Sequence, residues 1–254
     1  MKAIVLAAGY ATRLRPLTDR VAKPLLPLAG RPMLEYLVEA IRAAGVDEIH
    51  VVTNDRFAAD FERWAAGRPN LVVHDDGTST DQDRLGAIGD LRFTIERGEL
   101  EGDSVLVVAG DNLFDFPLAE LVEFWREKGD GSAIAVREVA DPQLLRQYSV
   151  LEVDADDRVT SFVEKPDDPR GTLAGVAIYV LHSDHLPLVR RYLDEGNVPD
   201  QPGRLFAWLS ERAPLYAYRF AGDWLDIGDR DQLLEADNRM RRRAGLDPRA
   251  EYTL

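Results

Sequence analysis

Residues 3–27 read AIVLAAGYATRLRPLTDRVAKPLLP, and the fold is decided at their start. Ala3-Ile4-Val5-Leu6 is apolar and partly β-branched with no polar alternation, the pattern of a strand buried on both faces. It breaks into Ala7-Ala8-Gly9. Small residues there let backbone N–H groups come close to a ligand, as phosphate-cradling loops require. Arg13 and Arg15 follow at once, and guanidinium offers forked donors suited to phosphate oxygens. Lys23 lies between Ala22 and Pro24 in an otherwise apolar segment that can hold its ammonium in place. Taken alone, the stretch also describes a solvated basic loop after a strand. No G-x-x-x-x-G-K-[ST] loop occurs anywhere. Counted from Gly9, the second and third glycines of a dinucleotide fingerprint fall on Ala11 and Leu14, which argues against NAD.

Working outward, Met33, Leu34, Leu37, Val38 and Ile41 recur at helical spacing after Pro32, and Gly45 is a C′ stop. A strand at Ile49–Val52, a helix with Phe57, Phe61 and Trp64, and a strand at Leu71–Val73 complete a β-α-β-α-β run, which predicts a parallel sheet with right-handed crossovers. Asp75–Asp90 is polar and rich in turn formers, a predicted loop. A helix around Leu91–Arg97 feeds a strand at Val105–Val108, and Leu118–Lys128 is helical. The period then changes. Strands at Ala133–Val136, Val150–Val153, Val159–Val163 and Val176–Leu181, with a hairpin turn at Ala155–Arg158, predict an antiparallel portion appended to the same sheet. Helices at Asp184–Glu195 and Arg204–Arg212, a strand at Leu215–Phe220 and a last helix capped by Asp229 follow. The expected organisation is one domain, residues 1–254: a first half to about residue 130, a second half from about 131 to 228, and a C-terminal helix over about 229–243.

Composition narrows the classes. Against 31 Lys+Arg stand 45 Asp+Glu, a net charge of −14 in 254 residues, which disfavours binding to nucleic acid or to acidic membranes. There are no cysteines, so disulfides, thiolate metal sites and Cys nucleophiles are excluded. No signal peptide and no apolar run of membrane-spanning length is present, and the expectation is a cytoplasmic protein. The histidines, His50, His74, His182 and His185, lack metal-ligand spacing, and the last two read as helix-entry residues. Asp81-x-Asp83 with Gly86 fails as a Ca²⁺ loop, because Leu85 and Arg92 occupy ligand positions. Met240–Arg243 ends a helix and reads as a solvated face favourable to the dipole.

Gly9-Tyr10-Ala11-Thr12-Arg13-Leu14, Pro16-Leu17-Thr18 and Lys23-Pro24-Leu25-Leu26-Pro27 together resemble the signature of the sugar-1-phosphate nucleotidylyltransferases, and within them the glucose-1-phosphate thymidylyltransferase group. The resemblance continues in family order at Gly110-Asp111-Asn112, Tyr148-Ser149-Val150, Glu164-Lys165-Pro166, Ala174-Gly175 and Trp224–Gly228. It implies a GT-A-like nucleotidyltransferase fold: a Rossmann-like, mostly parallel α/β sheet with helices on both faces and an added antiparallel portion. It implies transfer of a nucleotidyl group from a nucleoside triphosphate to a sugar 1-phosphate, dTTP or UTP with glucose 1-phosphate or a similar hexose phosphate, with Mg²⁺ as cofactor and a homo-oligomeric state. Nucleotide contacts are implied at Leu6, Ala8, Gly9, Thr12, Arg13, Lys23, Gly86 and Asp111. Sugar-phosphate contacts are implied at Asn112, Ser149, Glu164, Lys165 and Gly175. Arg13, Lys23 and Lys165 take the catalytic roles, and Asp111 and Asp226 the metal.

The residues support part of this independently. Asp111 lies just past a buried strand, where open α/β sheets bind ligands, and Mg²⁺ takes one or two carboxylates plus substrate phosphates. Each Asp alone also fits a turn cap, and Asp223 competes with Asp226. Glu164 and Lys165 are neighbours at a strand end and are expected to point to opposite faces.

Three departures from the family stand out. Ala11 replaces a glycine, a methyl that fits only if the backbone does not need positive φ. The 75–90 loop lacks the family's Gln-Pro pair and carries Asp76-Gly77-Thr78-Ser79 and Leu85–Gly89 instead, with Gly86 the match to the close-approach glycine. Ser149 stands where the family often has glycine. These keep open a cytidylyltransferase acting on a polyol phosphate or phosphocholine. An inactive nucleotide-sugar sensor is disfavoured because Arg13, Lys23, Asp111 and Asp226 are all present. A glycosyltransferase is disfavoured because Asp154-x-Asp156 and Asp229-x-Asp231 sit in a turn and at a helix start.

Overall fold

The computed structural model describes residues 1–254. In the first half, strands β1 (Lys2–Leu6), β2 (Pro27–Leu28) and β3 (Arg31–Pro32) precede helix α1 (Met33–Ala43), and β4 (Ile49–Thr53), α2 (Ala58–Ala65), β5 (Leu71–Asp75) and α3 (Ala87–Arg97) follow. The middle holds β6 (Val105–Ala109), β7 (Asn112–Phe114), α4 (Leu118–Lys128), β8 (Ser132–Glu138), α5 (Pro142–Leu145), β9 (Ser149–Val153), β10 (Val159–Glu164) and β11 (Leu173–Leu181). Helices α6 (Leu186–Asp194) and α7 (Pro202–Ser210), strands β12 (Leu215–Arg219) and β13 (Trp224–Asp226), and α8 (Arg230–Arg243) complete the chain.

The main sheet runs β10-β9-β11-β6-β1-β4-β5, with β8 on the other edge of β11 and β12 beside β8. β6, β1, β4 and β5 are mutually parallel, while β11 is antiparallel to β6, β8 and β9. A parallel core and a largely antiparallel extension, in which β12 runs parallel to β8, therefore share one sheet. β11 joins them by pairing with β9 along its first residues and with β6 along its last.

β1 is buried on both faces, as its unbroken apolar run predicts. Ala3 and Val5 face α1, α2 and α4, packing with Leu37, Ile41, Phe61 and Leu121. Ile4 faces α3, α6 and α7, with Ile88, Leu91, Val189 and Phe206. A third cluster lies beyond the strand ends and gathers Leu14, Leu26, Leu28, Met33, Leu113 and Ile227 against Leu233 and Met240 of α8.

The differences from the sequence reading have specific structural causes. α3 begins at Ala87, not near Leu91, because Gly86 (φ +78) turns the chain and Ile88 N–H donates to Pro199 O at 2.8 Å; that long-range bond has no local signature. β7 and β13 form a separate antiparallel ribbon, with Asn112 opposite Asp226. The short strand that Trp224-Leu225 predicts before Asp226 is present as β13, while β7, three residues long, is too short for a periodic signal. His182 and His185 do open a helical segment; His185 is buried, its Nδ1 2.8 Å from Ser132 Oγ. In the terminal basic run, Arg243 Nη2 donates to Asp115 Oδ2 at 2.8 Å, so the run does more than face solvent.

Ala11 is left-handed, at φ 45 and ψ 48. The loop does need positive φ, contrary to the condition under which the methyl fits freely. The conformation persists because Thr18 Oγ1 donates to Ala11 O at 2.9 Å and Leu14 N–H donates to the same carbonyl at 3.0 Å. A left-handed alanine costs about 1–2 kcal/mol, and glycine's extra unfolded-state entropy costs about 0.5–1 kcal/mol. Ala11→Gly should therefore stabilise the fold by about 0.5 kcal/mol, raising the melting temperature by about 1–2 °C. A melting temperature lower than the parent's would show that the left-handed turn is unstrained.

Candidate active site

The site is built where β1 and β6 end. β1 stops at Leu6, whose carbonyl accepts Gly110 N–H at 2.8 Å. A methyl at Gly110 would lie 2.9 Å from Leu6 O and 3.1 Å from Pro24 Cγ, so the glycine lets the two strand ends and the Lys23 turn pack together. Ala7 N–H still donates to Val52 O, and Asn54 Nδ2 donates to Ala8 O at 2.8 Å. From Ala8 to Arg13, however, no backbone N–H finds an acceptor within the protein. Leu6, Ala8, Gly9 and Thr12, expected as nucleotide contacts, thus flank or belong to a run of unclaimed donors, the arrangement that makes an anion cradle.

Four charged side chains converge beside this run. Lys23, only 9% exposed, places Nζ 2.8 Å from Asp111 Oδ2. Asp111 leads into β7 and its carbonyl accepts Ile227 N–H, so Asp226 at the end of β13 is brought next to it. Burial pushes the Asp226 carboxyl up to about 6, and the Asp111 charge adds to the rise. Lys23, Arg13 and Lys165 pull it back, which places all three cations within electrostatic reach. Arg13 lies over Gly228, where a methyl would sit 3.3 Å from its Nη2.

Two adjacent carboxylates, with Asp226 held above its usual pKa by burial, are a set of hard oxygen donors that an added divalent cation would relieve. No group of three or more metal-ligating side chains exists here or elsewhere. The pair fits Mg²⁺ held jointly by protein and substrate phosphates.

The second half supplies a neighbouring cluster. Ser149 Oγ donates to Glu164 Oε2 at 2.5 Å, and any side chain at Gly203, in the first turn of α7, would overlap that carboxylate. Lys165 is left-handed (φ +48), its N–H donating to Tyr148 O, so it leaves the strand while Glu164 stays in it. The two do point apart, Glu164 to Ser149 and Lys165 toward Asp226. Gly175 is explained by packing: a methyl would lie 2.9 Å from Ile134 Cδ1 and 3.1 Å from Leu151 Cδ1. The Asn112 amide is buried and its Oδ1 accepts Trp224 Nε1–H at 2.5 Å. Tyr148 packs edge-on to Trp224 and joins the two clusters, its hydroxyl acidity weakened by burial and then by Asp226.

The 75–90 loop shows what sequence reading missed. Tyr10 Oη and Thr78 Oγ1 lie 3.2 Å apart, and Asp76 Oδ1 accepts both N–H and O–H of Thr78. Asp76 Oδ2 and Asp90 Oδ1 are buried with no donor between them. A single proton shared between them would satisfy both. Burial pushes Asp90 up to about 8, with Asp76 the next contributor. An Asp in a helix's first turn ordinarily serves the dipole, so nothing in the sequence marked it. Gly86 meets the protein itself: a methyl would lie 2.7 Å from Pro199 O. A separate hollow of about 480 Å³ between α3 and α6 contains none of these groups.

The family model for nucleotidyl transferases matches residues 2–243. The chain belongs to the nucleotidyl transferase family. It is similar to a UTP–glucose-1-phosphate uridylyltransferase from Synechocystis, 31% identical over 241 residues that cover 90% of this chain and 60% of that protein. A glucose-1-phosphate adenylyltransferase from Clostridium acetobutylicum is 29% identical, covering 92% and 66%. A mannose-1-phosphate guanyltransferase from Candida albicans is 28% identical, covering 92% and 63%. The chain thus spans about 60–66% of the length of these relatives. The fold is shared with an apo UDP-glucose pyrophosphorylase, TM-score 0.80 at 20% identity, covering 96% of this chain and 99% of that one. It is shared as well with a structure assigned as a glucose-1-phosphate thymidylyltransferase from Bacillus anthracis, TM-score 0.77 at 23% identity and 95% of both chains. No helix is long and apolar enough to cross a membrane.

The shared proton sets a pH dependence. Asp90's folded value lies above its unfolded one, so the stability it contributes is complete below about pH 4 and is lost as pH rises through about 8. Asp90→Asn is neutral throughout. Relative to the parent, the variant should gain about 2–4 kcal/mol between pH 5 and pH 9, read from thermal unfolding at both values. A pH-independent difference would mean that no proton is held there.

Proposed function

We propose that the chain transfers a nucleotidyl group from a nucleoside triphosphate to a hexose 1-phosphate, releasing pyrophosphate and a nucleoside-diphosphate sugar. The observation that carries this reading is the unclaimed N–H run of residues 8–13 beside Arg13, Lys23, Asp111 and Asp226. The amides and Arg13 hold the β,γ-phosphates. Lys23 offsets charge at the α-phosphate. Lys165 aligns the sugar phosphate, and Glu164 and Ser149 accept and donate to sugar hydroxyls. Asp111 and Asp226 would hold Mg²⁺, which when bound neutralises phosphate charge.

The nucleophile is a phosphate oxygen already anionic, so no general base is needed. A new P–O bond forms at the α-phosphorus as its bond to the bridging oxygen breaks, and pyrophosphate leaves with the electron pair. The protein's part is positioning and charge stabilisation. In this reading residues 1 to about 130 hold the nucleotide, about 131–228 hold the sugar phosphate, and both belong to one domain.

UTP or dTTP with glucose 1-phosphate is the proposed pairing, supported by the uridylyltransferase among the relatives. A matrix of ATP, CTP, GTP, UTP and dTTP against hexose 1-phosphates, a polyol phosphate and phosphocholine, scored by pyrophosphate release, tests it. CTP preference with a polyol phosphate would overturn the hexose assignment. Arg13→Ala and Asp111→Asn should each lower kcat by about 10²–10³-fold with little change in melting temperature. Near-parental turnover in both would falsify the assigned roles.

A further inference from the structure

Helix α8 touches the segments that carry Arg13, Lys23, Asp111 and Asp226. Arg230 donates to Arg15 O at 2.8 Å, and Gln232 Oε1 accepts Gly228 N–H at 2.8 Å. Arg239 pairs with Asp223 at 3.0 Å and Arg243 with Asp115 at 2.8 Å, at the far end of the ribbon that carries Asp111 and Asp226. Asp237 is the charged residue of α8 that is buried completely.

Asp237 Oδ1 accepts Ala29 N–H at 2.8 Å, 208 residues away. Ala29 and Gly30, at φ +50 and +85, form the tight turn between β2 and β3. Arg249 closes on the same carboxylate through Nε at 2.6 Å and Nη2 at 3.2 Å, and lies over the Tyr252 ring. Tyr252 donates to Pro27 O and Tyr36 to Leu28 O, each at 2.8 Å. Three consecutive residues, Pro27, Leu28 and Ala29, are thus held by directional bonds. Lys23 lies one short helical turn upstream, its carbonyl accepting Leu26 N–H at 3.1 Å.

A buried ion pair stabilises a fold no better than apolar packing of the same shape. What it supplies here is direction: an acceptor at one point fixes where the turn's backbone sits. We propose that Asp237, locked by Arg249, is a positioning residue that sets Lys23 against Asp111. The effect on turnover rests on the proposed function; the placement of Lys23 does not.

The chain has four lysines, Lys2, Lys23, Lys128 and Lys165, so amine acetylation with an N-hydroxysuccinimide ester, resolved by mass spectrometry, reads Lys23 separately. In the parent, Lys23 should react slowest. Asp237→Asn should raise its rate at least about fivefold and leave Lys2 and Lys128 within about twofold; Tyr252→Phe, which removes one bond, should give a smaller rise. If Asp237→Asn does not fold, Tyr252→Phe decides alone. An unchanged Lys23 rate, or all four lysines rising together, overturns the proposal. Where the parent turns over substrate, Asp237→Asn should lower kcat at least about tenfold with KM within about threefold. It should cost nothing further in a Lys23→Ala background, since effects transmitted through one group do not add. A parent inactive across the whole substrate matrix would end the functional reading, and the labelling pattern would still decide the positioning.

Discussion

The ion pair between Lys23 and Asp111 is the constraint around which the rest is arranged. The chain carries a net charge of −14, a background that repels a triphosphate. A local excess of cations has to be built, and each must be held without neutralising itself permanently. Lys23 is largely withdrawn from water and rests on a carboxylate that has a second carboxylate beside it. Two acids share one lysine, with Arg13 and Lys165 close by. Such an arrangement leaves the acids short of positive charge, and in the proposed function a divalent cation would answer that shortage.

The architecture serves this pairing by bringing together segments distant in the chain. The parallel half ends β1 and β6 side by side, and Gly110 permits their close approach. The antiparallel half reaches the same rim through β11, which pairs with strands of both halves along its length. Its hairpin β9–β10 then presents Ser149, Glu164 and Lys165, and Tyr148 against Trp224 seals the seam. α8 spans the outside and ties the two halves of the β7–β13 ribbon to the Lys23 turn.

The departures from the family sequence fall in one physical class. Ala11 accepts a strained backbone where glycine would be free. Asp76 and Asp90 bury a shared proton where polar, open loop was expected. Ser149 adds a hydroxyl that contacts Glu164. None of the three falls on Arg13, Lys23, Asp111 or Asp226.

Much was legible in the sequence, because it depends on near neighbours. The apolar run of β1, the helical spacing of α1, the length of α4, the hairpin turn at 155–158 and the Asp229 cap were all read from periodicity and local hydrogen-bonding chemistry. Arg13, Lys23, Asp111 and Asp226 were named from the resemblance to the family's motifs, and the structure brings them together. What only the tertiary structure decided depends on groups far apart in the chain: the start of α3, set by Pro199; the internal use of the Asn112 amide, set by Trp224; the packing origin of Gly86 and Gly175; and the burial of Asp237 against Ala29. Periodicity reports which face of an element is apolar. It carries no information about which distant backbone group a polar atom will meet, and the polar contacts of this site are made at such meetings.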